Sequence, residues 1–368
     1  MKQATAIAIS GGMDSLVAAH LLQQAGHRVF GIHFISGYER AQTPPLQEGC
    51  LRLPAGGDAK KHFRLPPQDP LAGLGRALGI DIMAVDCRRF FEEQVVNYFV
   101  NAYKKGETPN PCMVCNQKIK FGRLLEAALG LGAQRLATGH YAECEKTASG
   151  RMQLKKGRDP EKEQSYFLAM LDQRQLERAC FPLGGLSKKK VAEIAAKHRL
   201  APVSCRESQD ICFTKGGHYL EFLSEHGGFT PAEGRIVDTE GRQIGIHKGL
   251  HRYTVGQRRG INCPASEPYY VIRIDTARNR LVVGFKEKLY RRQCSIRGTN
   301  WIAAKPAEAL AVMTKIRYRH EPAASEIIPQ AGGRALIRFK SPQPAITPGQ
   351  SAVCYQGDSV VAGGWIDE

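Results

Sequence analysis

Two groups of residues in this chain have the types and spacing to do chemistry. Cys112 and Cys115 stand in Asn110-Pro111-Cys112-Met113-Val114-Cys115-Asn116, and Cys212 stands much later in Asp210-Ile211-Cys212-Phe213. Near the N-terminus, Ser10-Gly11-Gly12-Met13-Asp14-Ser15 carries the glycines of a turn whose backbone amides can approach an anion. Thiolates are nucleophiles and ligands for soft metals. A glycine turn that opens a helix binds phosphate, because free amides and the helix dipole point at the same place. Nucleotide activation and sulfur chemistry are thus joined in one chain.

Such a turn needs a strand before it and a helix behind it. Residues 5–9 are an apolar, partly β-branched run that reads as a buried strand, residues 16–25 read as a helix ended by Gly26, and residues 29–34 as a second strand. That order predicts parallel strands with a right-handed crossover. The hydroxyls of Ser10 and Ser15 can donate to phosphate oxygens and Asp14 is a candidate magnesium ligand; the plainer alternative is a Gly-Gly turn with Asp14 as a helix cap. No lysine follows the turn, which excludes a Walker A loop. Between about residues 80 and 200, helix-like stretches at 90–103 and 188–198 alternate with short apolar strands, an α/β pattern. Leu136-Ala137 leads into Thr138-Gly139-His140, placed by this reading at the carboxyl end of a strand, where doubly wound folds bind ligands. The Pro- and Gly-rich residues 36–70 read as an insertion over the nucleotide site.

With 368 residues, 42% of them hydrophobic, the chain can bury the cores of two or three domains. No apolar run approaches the roughly 20 residues that span a bilayer, and the N-terminus runs straight into a strand, so the expectation is a soluble cytoplasmic protein with no membrane partner. Eleven cysteines in that setting point to reduced, catalytic or metal-binding thiols rather than a disulfide framework. The formal net charge of +17 suits a polyanionic partner. Residues 207–284 form a smaller, mixed segment with hairpin spacing at 234–241. Beyond it, short strands at 281–283, 316–318, 335–339 and 351–355 suggest a small β-barrel. Lys188-Lys189-Lys190 and Arg291-Arg292 read as solvated faces.

Ser10 to Ser15 resembles the SGGxDS loop of the PP-loop ATP pyrophosphatases, which split ATP between its α and β phosphates and adenylate an oxygen. The rest of the chain resembles the tRNA-specific 2-thiouridylase (MnmA/TrmU) family of that superfamily. The matching stretches run in the family's order and cover almost the whole length: Asn110 to Gly122, Ala137 to Ala142, Gln164 to Leu168, Phe181 to Gly184, Ile211 to Phe213, and Tyr253 to Gly260. The resemblance implies an α/β fold: a Rossmann-like PP-loop domain (1–206), a small mixed central domain (207–284) and a C-terminal β-barrel (285–368). It implies ATP and magnesium as cofactors, with Ala8, Ile9, Ser10, Gly11, Gly12, Met13, Asp14, Ser15, Phe34 and Gly139 at the nucleotide. It implies the anticodon loop of tRNA as partner, met by Asn110, Pro111, Cys112, His140, Lys162, Glu163, Gln164, Arg317, Tyr318 and Gln350. Glu163 replaces the Asp of the family's Lys-Asp-Gln stretch. Arg317 and Tyr318 pair a phosphate-binding cation with a ring on which a splayed base can stack.

The implied reaction is thiolation of the wobble uridine at its 2-carbonyl. A carbonyl oxygen is a poor leaving group; once adenylated it departs as AMP, and sulfur enters as a nucleophile from a persulfide or a cluster-bound sulfide. Cys212 matches the family's persulfide-bearing cysteine, and Cys115 the cysteine that releases sulfur from it by forming a disulfide; a sulfur donor or sulfur-carrier protein is implied. Lys118 and Lys120 beside Cys115, and Arg206 beside Cys212, are candidates to favour the thiolates. Cys112 departs from the family pattern, which often has aspartate there. With Cys112, three thiolates are available, the number that holds a [4Fe-4S] cluster with one iron open, as in some tRNA thiolases, and cluster and persulfide relay stand as equal alternatives. Cys50, Cys87, Cys144, Cys180, Cys263, Cys294 and Cys354 read as buried small hydrophobes, and Cys205, seven residues before Cys212 on a polar segment, reads as inert, with a sulfur relay as the alternative. Two other functions remain open: a different PP-loop AMP-forming sulfurtransferase or ligase on a small substrate, and a noncatalytic tRNA-binding protein.

Overall fold

The computed structural model describes residues 4–39, 65, 68–203, 211–214, 219–226, 228–229 and 231–367. Cys50, Cys205, Arg206 and most of the 36–70 insertion lie outside the described residues. The chain forms two compact units, one of Met1–Val95, Cys112–Phe213 and Asp358–Val360, the other of Val96–Pro111, Thr214–Gly357 and Val361–Glu368.

In the first unit the expected strand, turn, helix and strand are β1 (Ala4–Ala8), a helix over Met13–Gln24, and β2 (Arg28–Ile35), with β1 and β2 parallel. Gly26, at φ +81°, ends the helix as its sequence position predicts. Further strands are β3 (Ile82–Asp86), β4 (Arg135–Ala137), a hairpin of β5 (Ala142–Lys146) and β6 (Met152–Lys156), and β7 (Ala179–Cys180). β1, β2, β3, β4 and β7 make a five-stranded sheet in the order β3-β2-β1-β4-β7, parallel throughout. Ala6 and Ile7 of central β1 are fully buried, as expected of a strand covered on both faces. The helix over Met13–Gln24 buries Leu16, Val17 and Leu22 in a core shared with Val191 and Ala195 of a helix over Lys188–Lys197. The chain leaves β1 toward β2 on one side, while β4 pairs on the other. The strand order therefore reverses at β1 and β4, and their carboxyl ends flank a topological switch point.

The helical stretch that carries the first two cysteines is not a plain α-helix. An α turn over Pro111–Val114 passes into a π-helix over Cys115–Leu124 and back to α over Leu125–Gly130. The wider turn disturbs the usual carbonyl pairing, and Gln175 compensates: its amide donates to the carbonyls of Gln117 (2.8 Å) and Phe121 (3.0 Å) while its oxygen accepts from the Asp172 amide (3.1 Å). The Asn116 amide donates to Phe167 O at 3.1 Å, tying the same stretch down.

The second unit contains a four-stranded sheet built from the expected hairpin (Gly234–Val237 with Gln243–His247) and the strands Tyr270–Asp275 and Arg280–Gly284. It also contains the expected barrel. Strands Tyr290–Trp301, Ala335–Pro344, Ala323–Pro329, Leu310–Lys315, Ser351–Gln356 and Ser359–Ile366 follow one another around it, and the first pairs with the last to close it. Cys294 and Cys354 are buried in its core, as small hydrophobes. Two strands were misplaced: residues 281–283 form a strand, Arg280–Gly284, that pairs with Tyr270–Asp275 and Gly234–Val237 in the four-stranded sheet and not in the barrel, and residues 316–318 are not a strand, because Leu310–Lys315 ends before them and the chain turns, with the His320 amide on Arg317 O at 3.1 Å. Ile316 still points into the core, 2% exposed, which is what made the stretch look like a strand.

Candidate active site

The phosphate turn sits at the carboxyl end of β1. Gly11 has φ +81°, the left-handed region that favours glycine, and a Cβ there would come within 3.2 Å of the Leu71 side chain. Gly12 is the N-cap of the following helix and supplies no side-chain cap, which leaves the first-turn amides for an anion. Ser10 is exposed on the turn. Ser15 is not as expected: buried, it donates to Gly12 O at 2.9 Å and braces the turn rather than facing outward.

Asp14, in the first turn of the same helix, accepts from the Tyr141 hydroxyl (2.8 Å) and faces the Lys188 ammonium with both oxygens (2.8 and 2.9 Å). Magnesium is usually held by one or two carboxylates together with substrate phosphates, so Asp14 fits as a ligand once Lys188 moves off it. Thr138-Gly139-His140 follows β4, across the switch point. A Cβ on Gly139 would lie 2.9 Å from the Asp14 carbonyl carbon and 3.1 Å from the Ser15 amide nitrogen, so the two loops touch backbone to backbone there. Phe34, at the end of β2, is half-buried with its ring stacked 6.3 Å from Phe91.

His140 links this cleft to the cysteines. It is 8% exposed; one ring nitrogen lies 2.7 Å from Thr138 Oγ1 and the other 3.4 Å from Lys120 Nζ. An ammonium has only donors, so the nitrogen facing Lys120 accepts and the ring proton sits on Nδ1, donated to Thr138. Burial, and then the Lys120 charge, hold the His140 pKa well below the usual histidine value. The sign follows: the unfolded chain gains a proton near pH 6.5 that folded His140 refuses, so the stability present above that pH is lost as pH falls, by at most about 1.4 kcal/mol per pH unit. Urea midpoints at pH 7.5 and 5.5 should differ less for His140→Asn than for the unaltered protein, and an equal difference would argue against a buried neutral imidazole.

The π-helix turns Lys120 toward the side of Cys115, and its charge is felt by the thiols. On an α-helix, residues five apart stand about 140° from one another; on a π-helix, with its i to i+5 bonding and about 4.4 residues per turn, the offset falls to about 50°. Cys115 and Lys120 therefore share a face, while Lys118 is exposed. Burial pushes the Cys115 thiol up to about 12; Lys120 pulls it down, and Cys212, Cys112 and Cys87 push it further up. Cys112 is raised to about 11 by burial and by Cys212, against Lys120. Cys212 is raised by burial, again against Lys120. Cys112 and Cys212 keep exposed surface, so burial weighs less on them than on Cys115, which is 9% exposed. Cys212 is held in place by its neighbour: Phe213 is 3% exposed, with its ring 5.8 Å from Phe91 and 6.0 Å from Tyr38.

The [4Fe-4S] alternative is not supported. Among the described residues no three Cys, His, Asp or Glu side chains are grouped so as to hold a metal ion, Cys112, Cys115 and Cys212 included.

The remaining expected contacts are scattered. In the first unit, the Glu163 carboxylate is buried and accepts from the Ser165 amide, and Gln164 pairs with the Tyr141 backbone (3.1 and 2.9 Å); Lys162 is half-buried. In the second unit, the Asn110 amide donates to the Tyr98 hydroxyl at 3.3 Å, Pro111 opens the helical turn before Cys112, and the Gln350 amide donates to the carbonyls of Thr108 (3.0 Å) and Pro109 (3.3 Å). Arg317 and Tyr318 are half-buried in the turn after Leu310–Lys315, with Lys315 Nζ 5.4 Å from the Tyr318 ring centre. Sequence reasoning missed Thr138, Tyr141, Gln175 and Lys188. Only Lys188 left a signal: a cation in the first turn of a helix opposes the helix dipole and needs a partner elsewhere.

Among the described residues no helix is long and apolar enough to cross a membrane. Three family models match in succession: a tRNA methyl transferase HUP domain over residues 3–216, a tRNA methyl transferase PRC-barrel domain over 220–285 and an aminomethyltransferase β-barrel domain over 291–366. The chain is 46% identical to the tRNA-specific 2-thiouridylase MnmA of Desulfosudis oleivorans over 361 residues, 98% of this chain and 94% of the relative. It is 43% identical to that of Geotalea uraniireducens (98% and 94% covered) and 41% identical to that of Geobacter metallireducens (98% and 96% covered). With an anion-ready turn, a doubly wound sheet, a closed C-terminal barrel and relatives matched nearly end to end, the chain belongs to the tRNA-specific 2-thiouridylase MnmA family.

Proposed function

We propose that this protein is an ATP-dependent tRNA sulfurtransferase that replaces the 2-oxygen of the wobble uridine with sulfur. The observation that supports it most is the linkage of the phosphate turn to the thiols: Asp14 and Ser15 abut Gly139, His140 follows it and lies 3.4 Å from the Lys120 ammonium, and the Lys120 charge is felt by Cys115, Cys112 and Cys212. Activation and sulfur delivery can then meet at one carbonyl carbon. ATP binds on the turn from Ala8 to Ser15, with Gly139 and Phe34 beside it, and magnesium supplies charge to its phosphates. The uridine oxygen attacks the α-phosphorus, the α–β bridging bond breaks, and pyrophosphate leaves with the electron pair.

The terminal sulfur of a Cys212 persulfide, loaded by a sulfur donor, then bonds to the uridine carbon while the carbon–oxygen bond breaks and AMP departs. Cys115, as thiolate, attacks Cys212 Sγ; the sulfur–sulfur bond to the base breaks, its electrons become the new thiocarbonyl, and a Cys115–Cys212 disulfide remains for an external thiol to reduce. Lys120 favours both thiolates by its charge. Cys112 occupies the position where relatives often carry aspartate, and we assign it to the target base together with Asn110 and Pro111. His140, Lys162, Glu163 and Gln164 line the tRNA path in the first unit, and Arg317, Tyr318 and Gln350 do so in the second. We place the domain boundaries at 206/207 and 284/285, and the reaction in the cytoplasm.

The test is anaerobic and aerobic reconstitution with unmodified tRNA, ATP and a persulfide donor, using the unaltered protein and Cys112→Asp. Both should form 2-thiouridine with one AMP per sulfur and without bound iron. Activity that requires iron and vanishes in Cys112→Asp would restore the cluster route, and AMP release with a small substrate but not with tRNA would point to another PP-loop reaction.

A further inference from the structure

The turn that cradles phosphate lacks the lysine that P-loop proteins carry next to it in sequence. The fold supplies one from far along the chain. Lys188 is the first residue of the helix over Lys188–Lys197, and its ammonium lies 2.8 and 2.9 Å from the two carboxylate oxygens of Asp14, the second residue of the helix behind the turn. Its position is fixed independently of that pair. The Lys188 amide donates to Asp159 at 2.8 Å, the Ser187 hydroxyl caps the helix by accepting from Lys190, and the Lys188 ammonium stands 6.0 Å from the Tyr141 ring centre. Tyr141 also donates to Asp14, so ring, carboxylate and ammonium form one cluster.

The cluster is open to solvent, with side-chain exposures of 24% for Lys188 and 34% for Asp14, so an anion arriving at the turn meets it directly. A lone surface ion pair adds little to stability, about 0–1 kcal/mol. Against a helix dipole that repels it, a lysine held there is better explained by a ligand than by folding. We propose that Lys188 is the tertiary counterpart of the missing loop lysine: it grips the β- and γ-phosphates of ATP and stabilises the charge that forms on pyrophosphate as the α–β bond breaks, and Asp14 holds it in reserve until the nucleotide arrives. The proposal rests on the ATP-dependent reading above.

Calorimetric titration in magnesium-free buffer with inorganic pyrophosphate and with AMP separates the roles. Lys188→Met should weaken pyrophosphate binding about 10- to 100-fold, the loss of a charge-assisted contact, with AMP binding changed by less than about twofold. Lys188→Arg should recover most of the loss. Asp14→Asn, which keeps the lysine and removes its holder, should bind pyrophosphate at least as tightly as the unaltered protein. Pyrophosphate binding unchanged in Lys188→Met, or lost equally in Lys188→Met and Asp14→Asn, would overturn the proposal and leave the pair a structural brace. Failure of the unaltered protein to bind ATP or pyrophosphate would instead remove the ATP-dependent reading, and this inference with it.

Discussion

Cys212→Ser should lower 2-thiouridine formation by at least about a thousandfold, the order seen when a covalent nucleophile is removed, while ATP–pyrophosphate exchange with tRNA stays within about threefold. A hydroxyl cannot carry a sulfane sulfur, so no acceptor remains for the donor. The activation half of the reaction has no use for this side chain. The substitution is also gentle on the fold, because the residue that anchors this turn is Phe213, packed between Phe91 and Tyr38, and not Cys212, which is exposed. Transfer of labelled sulfur from donor to protein, followed by alkylation and peptide mapping, gives a second reading: label should be absent from Cys212→Ser and should persist on the 212 peptide in Cys115→Ser. If Cys212→Ser also loses exchange, the residue acts on the shape of the cleft and the relay has been assigned to the wrong sulfur.

Gly139→Ala should do the reverse and damage activation. Its Cβ would lie 2.9 Å from a backbone carbon and 3.1 Å from a backbone nitrogen at the start of the helix behind the phosphate turn. Neither atom is the free end of a side chain, so relief requires the loop after β4 or the turn itself to move. Overpacking of this kind costs about 1–3 kcal/mol, which corresponds to a loss of about 5- to 150-fold in ATP affinity if it falls on the binding step. Persulfide loading of Cys212 should be untouched. Equal ATP affinity in Gly139→Ala and the unaltered protein would show that the two loops separate before the nucleotide binds.

The parts of the fold carried by local pattern were legible in the chain. β1, the phosphate turn, its helix and Gly26 follow from apolar runs and glycine placement, and the barrel strands from their turn spacing. The stretch over 316–318 failed because a single buried isoleucine in a turn imitates a strand. The π-helix over Cys115–Leu124 was invisible for a different reason: its apolar positions suit a helix of either pitch, and the side chain that pairs with its carbonyls, Gln175, is far away in sequence. The cysteine roles came from likeness to a family, since their spacing alone left relay and cluster equal. Lys188 was read as solvated because a run of three lysines usually is, and its carboxylate partner is 174 positions distant.

The π-helix makes length itself a functional property of this enzyme. An α-helix sets residues five apart about 140° from one another and residues four apart about 40°, so the thiol and its ammonium stay aligned only while residue count and pitch are matched. If the segment relaxed to the α pitch with its length unchanged, the charge would swing away from the sulfur with every side chain of the site still present, whereas the same relaxation with one residue lost between the two would restore the alignment. Homologues that align without gaps across this stretch share more than sequence: they keep the same count of residues between a nucleophile and its cation.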